Sequence, residues 1–134
     1  MFEAYFVDLG WLLFALFFGV AMGSMTGLIP GFHVNNVALI LLALSPIFLD
    51  WGIPLSAVAA IIVSTGTVHT FLNYIPSALL GAPDGDTALS LLPGHRMLLS
   101  GNAARGVAWS ARGSQLGLFL SLPLICLLYT SDAA

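Results

Sequence analysis

Four small or polar residues recur along one apolar stretch of the sequence. Gly66, His69, Thr70 and Asn73 stand at positions i, i+3, i+4 and i+7, so in a helix they share one face. Such a face suits a cavity for a polar substrate, because ionisable groups at membrane depth commonly mark a transport pathway. It equally suits hydrogen bonding between neighbouring helices. The spacing leaves both roles open.

A Pro-Gly pair predicts a break in the first apolar helix. Pro30-Gly31 is followed by His33, Asn35 and Asn36, just before a second apolar run begins. A broken helix releases backbone N–H groups, and the N-terminus of the next helix offers partial positive charge to an anion. For the two asparagines, capping of that helix is an equally simple explanation.

A second Pro-Gly pair predicts a second break. Pro93-Gly94 stands directly before His95 and Arg96, and this motif adds a full positive charge to the released backbone donors. The candidate substrate-binding residues, which we expect to hold a small organic anion, are therefore Gly31, His33, Asn35, Asn36, His69, Thr70, Asn73, His95 and Arg96.

Two carboxylates stand in a turn-like segment before a short apolar run. Gly85 suits a turn between Asp84 and Asp86, and Asp86 suits the N-cap of a helix over residues 87–92. The alternative is that Asp84 and Asp86 help to hold a coupling cation, sodium or a proton.

Other chemistries lack their motifs. The three histidines are dispersed and no H-E-x-x-H or cysteine ligand pair occurs, so no metal site is expected. No G-x-S-x-G nucleophile motif occurs, and the Gly-x-Gly-Asp motif of intramembrane aspartyl proteases is interrupted by Pro83. We therefore expect no enzyme, no catalytic residues and no cofactor.

The composition indicates whether the chain is surrounded by water or by a lipid bilayer. Of the 134 residues, 59% are hydrophobic and 7% are charged, whereas soluble domains carry about 25% charged residues. A bilayer is therefore expected as the surrounding medium. The net charge of -3 and the single cysteine argue against a nucleic-acid binder and a disulfide-stapled module.

Apolar runs predict an all-α, polytopic membrane protein with broken or re-entrant helices at its Pro-Gly motifs. The expected spans are residues 9–29, 37–49 and 55–72, and a truncated span from about residue 116. Between them, residues 101–113 are polar enough to be a connection. No basic segment precedes the first run, so it is read as a retained span and not a signal peptide. Gly19, Gly23 and Gly27 form a ridge at four-residue spacing, which favours close packing against another helix.

The arginines predict the orientation. Arg96, Arg105 and Arg112 all follow the third span, and the positive-inside rule places that connection in the cytoplasm. Counting back along the chain, the loop at Asp50 lies outside and the loop after Pro30 lies inside.

The last nine residues, 126–134, read in one frame as the translation of a transposase-type sequencing adapter. We therefore predict that residues 1–125 are an N-terminal fragment of a transporter membrane domain, and that Cys126 and Asp132 have no functional meaning.

Several motifs, in matching order, resemble the large membrane subunit of tripartite tricarboxylate transporters, the TctA-like family. They lie at residues 27–31, 73–76, 84–89, 93–95 and at Gly101. Residues 29–35 and 81–89 resemble its archaeal-type branch most closely. The resemblance implies a permease that moves carboxylates using an ion gradient, often with a small membrane subunit and an extracytoplasmic binding protein.

The function expected from these features is secondary transport of a small organic anion across the cell membrane, coupled to an ion gradient. Two alternatives stay open at this point. One is an intramembrane enzyme, which would need a nucleophile–base pair. The other is a membrane assembly protein that uses its glycine ridge to bind other helices.

Overall fold

A computed structural model describes residues 2–81 and 88–131, which form six α-helices and no strand. The prediction of an all-α membrane fold is confirmed for this part of the chain. The helices are α1 (Phe2–Leu28), α2 (Val34–Asp50), α3 (Leu55–Leu72), α4 (Tyr74–Leu80), α5 (Ala88–Leu99) and α6 (Ala103–Ser131).

The glycine ridge of α1 packs directly against the backbone of α3, as its spacing predicts. A Cβ on Gly23 would stand 2.6 Å from Thr65 O, and one on Gly27 would stand 3.0 Å from His69 O. Only a residue without a side chain allows so close an approach. The contact partners advance with the ridge, from Ile61 beside Gly19 to His69 beside Gly27, so α1 and α3 run parallel.

Helix α2 returns antiparallel and closes the core of the bundle. Val37 and Leu41 bury their side chains with Ala15, Ala57 and Ile61 of the other two helices. Pro46 lies inside α2 and has no N–H to give to the carbonyl four residues back. The hydroxyl of the preceding serine donates to that carbonyl, Leu42 O, at 2.7 Å, so the helix continues without a break.

The break between α1 and α2 is found where the first Pro-Gly pair predicts it. Gly31 adopts φ +86°, a left-handed conformation that favours glycine. Helix α2 begins three residues later, so it starts at Val34 and not near residue 37 as expected. The chain between Leu28 and Val34 is therefore non-helical at one end of the bundle.

The junction between α3 and α4 is a slight interruption and not the irregular stretch that its prolines suggest. Asn73 keeps a right-handed helical conformation between the two helices. Pro76 has no N–H for the carbonyl of Leu72, which weakens the helix at this one point. Together, α3 and α4 form a continuous apolar segment, Leu55–Leu80.

The prediction of a helix break at the second Pro-Gly pair is wrong. Helix α5 runs through Pro93 and Gly94, since a proline removes only one hydrogen bond. Gly94 is required by packing, because a Cβ there would stand 2.6 Å from the hydroxyl of Tyr74 and 3.2 Å from Ala78 Cβ. No backbone donors are released at this position by a helix end.

Helix α6 is longer than expected. A turn at Gly101, with φ +77°, reverses the chain after α5, and α6 starts at Ala103. The expected connection over residues 101–113 is therefore mostly helix. The assignment of residues 126–134 to an adapter stays a prediction.

By length and composition, three segments of the described chain are apolar enough to cross a membrane: Leu9–Leu28, Leu55–Leu80 and Ala103–Tyr129. Helix α2 is apolar but shorter, at 17 residues. The multi-pass membrane character expected from the composition is confirmed.

Candidate functional site

Four polar side chains are buried where α1, α3 and α4 meet. Thr26, His69, Asn73 and Ser77 are each nine-tenths or more buried, and we call them the polar cluster. The last three follow one another at four-residue spacing, so they line one face of the α3–α4 segment. Polar groups away from water are costly unless they are hydrogen-bonded, so their mutual contacts decide whether this interface is stable.

The ring of His69 is held by a hydroxyl from the glycine-ridge helix. His69 Nδ1 and Thr26 Oγ1 are 3.1 Å apart, and Thr26 Oγ1 donates to Gly23 O at 3.3 Å. The Thr26 hydroxyl thereby connects the imidazole ring to the backbone of α1.

The second half of the cluster spans the α3–α4 junction. Ser77 Oγ donates to the backbone carbonyl of Asn73 at 2.8 Å and lies 3.4 Å from its side-chain Oδ1. These contacts tie the amide of Asn73 to the first turns of α4. The weakened helical joint is thereby fixed by side chains.

A further hydroxyl lies in the same interface. Thr65 is one turn before His69 and is 1% exposed, and its Oγ1 has no hydrogen-bond partner among the described residues. A buried hydroxyl left unpaired costs about 1–3 kcal/mol.

The helix break after α1 opens into a cleft of about 360 Å³, which we call the break cleft. Gly31, His33 and Asn36 line it together with apolar residues of α1 and α2. His33 occupies the N-cap position of α2 without a side-chain cap bond, so neither asparagine caps the helix. Asn35 is exposed and does not line the cleft.

The parallel packing of α1 and α3 brings the ends of these two helices together. Partners across the interface differ by a constant 42 residues, as in Gly23 with Thr65 and Gly27 with His69. The break cleft and the α3–α4 junction therefore lie at the same end of the α1–α3 pair.

The face predicted for Gly66, His69, Thr70 and Asn73 is divided between two environments. His69 and Asn73 are buried against α1, whereas Gly66 and Thr70 line a groove of about 620 Å³ between α3 and α6. In this α3–α6 groove, the hydroxyl of Thr70 donates to Gly66 O at 2.9 Å. Thr67 and Ser121 of the same groove also donate their hydroxyl protons to carbonyls of their own helices, so a carboxylate would meet three hydroxyl oxygens whose protons are already used.

The remaining candidates are not brought to this site by the described contacts. His95 and Arg96 are exposed on α5, which packs mainly against α4 and α6. Asp84 and Asp86 lie outside the described residues. No group of three or more His, Cys, Asp or Glu side chains that could hold a metal occurs within residues 2–81 and 88–131.

Comparison with known proteins places the chain in a family. Residues 13–131 match the sequence profile described as the tripartite tricarboxylate transporter TctA family. The chain belongs to this family. The resemblance seen in its motifs is thereby confirmed, and the chain is part of a transporter family and not of an enzyme family.

A relative of this chain from the archaeon Methanocaldococcus jannaschii is described as an uncharacterized protein. It is 39% identical over 111 residues, which cover 82% of this chain and 26% of the relative. The chain thus spans about a quarter of the length of that protein. No solved structure matches the chain significantly.

Sequence reasoning missed three of the buried polar residues of this TctA-family chain. Thr26 lies on the glycine-ridge face, three residues after Gly23, so the ridge that predicted packing also signals that Thr26 faces the partner helix. Ser77 continues the four-residue spacing of His69 and Asn73. Thr65 carried no comparable signal.

Proposed function

We propose that this chain is part of a secondary transporter that carries a small organic carboxylate across the cell membrane, coupled to an ion gradient. One observation carries the proposal within a TctA-family chain. The break after α1 opens into a cleft lined by His33 and Asn36, and it lies at the same end of the α1–α3 pair as the polar cluster. Transporters commonly bind substrates where discontinuous helices expose backbone groups to a cavity.

In this proposal the break cleft supplies the anion-binding donors. At the start of α2 the N–H of Asn36 donates to His33 O at 3.1 Å, so the backbone donors that this helix end would offer an anion are the N–H groups of Val34 and Asn35. Asn36 and His33 add side-chain donors at the cleft wall. An anion that leaves water must exchange its hydration for such groups, because an uncompensated charge inside a membrane is costly.

The polar cluster has the supporting role. The bond between His69 and Thr26 fixes the ring beside the break, and Ser77 fixes Asn73. Asn73 is buried at the α3–α4 junction and does not line the break cleft, so its amide would act by holding that junction in place near the cleft. Since the cluster lies in a glycine-packed interface, it holds this geometry with little freedom.

Further components of the proposal rest on the family and the sequence. The carboxylates of Asp84 and Asp86 would hold the coupling cation, because they repel the substrate anion. Arg96 would attract the anion at the mouth of the pathway. A small membrane subunit and an extracytoplasmic binding protein would deliver the substrate, as the family description implies. The intact permease would extend beyond this segment.

The alternative of an assembly protein is not favoured by the structure. That alternative requires a glycine ridge that is free to bind another helix. The ridge of Gly19, Gly23 and Gly27 packs against α3 of the same chain. It therefore offers no free surface for a partner helix.

Uptake measurements test the proposal. Proteoliposomes that contain the intact permease should take up radiolabelled citrate or succinate along a sodium or proton gradient. Asn36→Ala and Asn73→Ala should each abolish uptake while the protein still reaches the membrane. Gln115→Ala removes an exposed amide from α6, away from the site, and serves as the matched control.

The ion-coupling part has its own readout. Asp86→Asn should weaken the dependence of uptake on the ion gradient more than the KM for substrate. Normal uptake by both asparagine variants would contradict the substrate site. Unchanged ion dependence in the Asp86 variant would leave that residue as a helix cap.

A further inference from the structure

The first third of α6 presents two arginines and a tryptophan on one face. At 100° per residue, Arg105, Trp109 and Arg112 fall within about 60° of one another. All three are exposed, and the Arg112 guanidinium lies 5.6 Å from the centre of the Trp109 ring. We call these residues the basic–aromatic face.

This face points away from the rest of the described chain. Gly106, about 100° around the helix from Arg105, is buried and faces Met97 of α5 and the hydroxyl of Tyr74. The basic–aromatic face lines neither the break cleft nor the α3–α6 groove. It is therefore separate from the proposed substrate site.

The same side of the helix continues as apolar surface. Leu116 and Phe119 follow at the same angular position and are 64% and 71% exposed. Arg112 is the last charged residue of α6, and residues 116–125 carry no charge. The apolar part of the helix therefore begins shortly after Arg112.

The position of this last charge sets the depth of the basic–aromatic face. If the hydrocarbon begins near Gly113, Trp109 and Arg112 stand at its boundary and Arg105 stands about 10 Å further out, among the headgroups. Tryptophan prefers this boundary, and arginine extends its charged end from the apolar region towards it.

We propose that the basic–aromatic face binds the headgroups of anionic phospholipids. The two guanidinium groups would hold lipid phosphates through paired N–H donors, while an acyl chain of the same lipid lies along Leu116 and Phe119. A phospholipid can contact the arginines with its headgroup and Leu116 and Phe119 with its acyl chain. A soluble anion would contact the arginines alone.

The test measures which lipid surrounds Trp109. A variant with Trp109 as its only tryptophan (Trp11→Phe, Trp51→Phe) is reconstituted in phosphatidylcholine. Phosphatidylglycerol or phosphatidylcholine carrying a nitroxide near the top of the acyl chain is then titrated in. Half-maximal quenching should need on the order of tenfold less of the anionic lipid, since each basic residue near the surface strengthens the attraction considerably.

Substitutions identify the source of that preference. Arg105→Gln with Arg112→Gln should make the two lipids quench equally, whereas Arg105→Lys with Arg112→Lys should keep most of the preference. A protein with Trp51 as its only tryptophan is the matched control. Trp51 is 71% exposed against 62% for Trp109 and stands beside Asp50 instead of arginines, so it should show no preference for the anionic lipid.

Three results would overturn the proposal. One is equal quenching of Trp109 by both lipids in the wild-type background. Another is a preference that survives the double glutamine variant while circular dichroism shows unchanged helicity. The third is displacement of the anionic lipid by inorganic phosphate beyond the effect of sodium chloride at equal ionic strength, which would indicate a site for soluble anions.

Discussion

The substitution Gly23→Ala should separate α1 from α3 and destabilise the fold. The new Cβ would stand 2.6 Å from Thr65 O and 2.9 Å from Val68 Cβ, whereas ordinary contact begins at 3.4 Å. The obstacle is the backbone of a packed helix, which has no rotamer to change. The two helices must therefore move apart by about 0.8 Å, or the carbonyl must bend away.

Overpacking of this kind costs about 1–3 kcal/mol, a factor of about 5 to 150 in the unfolding equilibrium. The assay is reversible unfolding of the purified chain in mixed micelles of a mild detergent and sodium dodecyl sulfate, followed by tryptophan fluorescence. Gly10→Ala is the matched control, because it lies on the same helix and its Cβ would have nothing within 4 Å. Both variants gain the same helix propensity, so their difference isolates the steric cost.

Gly10→Ala should change the free energy of unfolding by no more than about 0.5 kcal/mol in the destabilising direction. If Gly23→Ala proves as stable as Gly10→Ala, the close parallel packing of α1 and α3 is refuted. The placement of the break cleft and the α3–α4 junction at the same end of this pair would then lose its basis.

Three further predictions concern the cluster, the topology and the second glycine motif. Thr26→Val should lower the free energy of unfolding by about 1 kcal/mol through loss of the bond to His69, with Thr26→Ser as stable as wild type; equal losses in both would argue against that bond. In a chain without Cys126, a cysteine introduced at Asp50 should be labelled by an impermeant maleimide added outside. A cysteine introduced at Asn102 should be labelled by the same reagent added inside. The reverse pattern would overturn the orientation. Gly94→Ala should destabilise the fold less than Gly23→Ala, because the new Cβ meets mainly the end of the Tyr74 side chain. Adding Tyr74→Phe should restore part of the lost free energy of unfolding. If Tyr74→Phe restores none of it, the clash lies elsewhere.

Some of the fold could be predicted from the sequence because the bilayer restricts the choices. A chain with few charges and long apolar runs must form helices, and glycines at regular spacing must serve close packing. The break at Pro30-Gly31 was also predictable, since Gly31 adopts a conformation that favours glycine.

The failures have physical reasons. Pro93 removes one hydrogen bond, and in a membrane the rest of the helix is still the best partner for the backbone, so α5 continues. Likewise, the residues before 113 form helix despite their polarity, because α6 extends beyond the hydrocarbon into the headgroup layer. Helical spacing alone could not predict that His69 and Thr70 lie in different environments, since both lie within one broad face of α3. The positions of α1 and α6 around that face decide which neighbour each residue meets.

The candidate site was only partly predictable for a related reason. The sequence proposed Gly31, His33, Asn36 and Asn73 as site residues, but it did not indicate that the break after α1 and the α3–α4 junction lie at the same end of the α1–α3 pair. That fact follows from the parallel register of α1 and α3, which depends on contacts between residues 42 positions apart in the chain.

Substrate protection of a cysteine in the break cleft tests the central claim most directly. Asn36→Cys is introduced into the intact permease with its native cysteines replaced by serine. The rate at which this cysteine reacts with a water-soluble maleimide is measured with citrate, with succinate, and with sodium chloride at equal ionic strength. A cysteine at Ser56, which is exposed at the start of α3, is the control for general effects of the anions. The account predicts that a carboxylate slows labelling at position 36 several-fold while the rate at position 56 is unchanged. Equal labelling at position 36 with carboxylate and with chloride would contradict the proposal that the break cleft binds the transported anion.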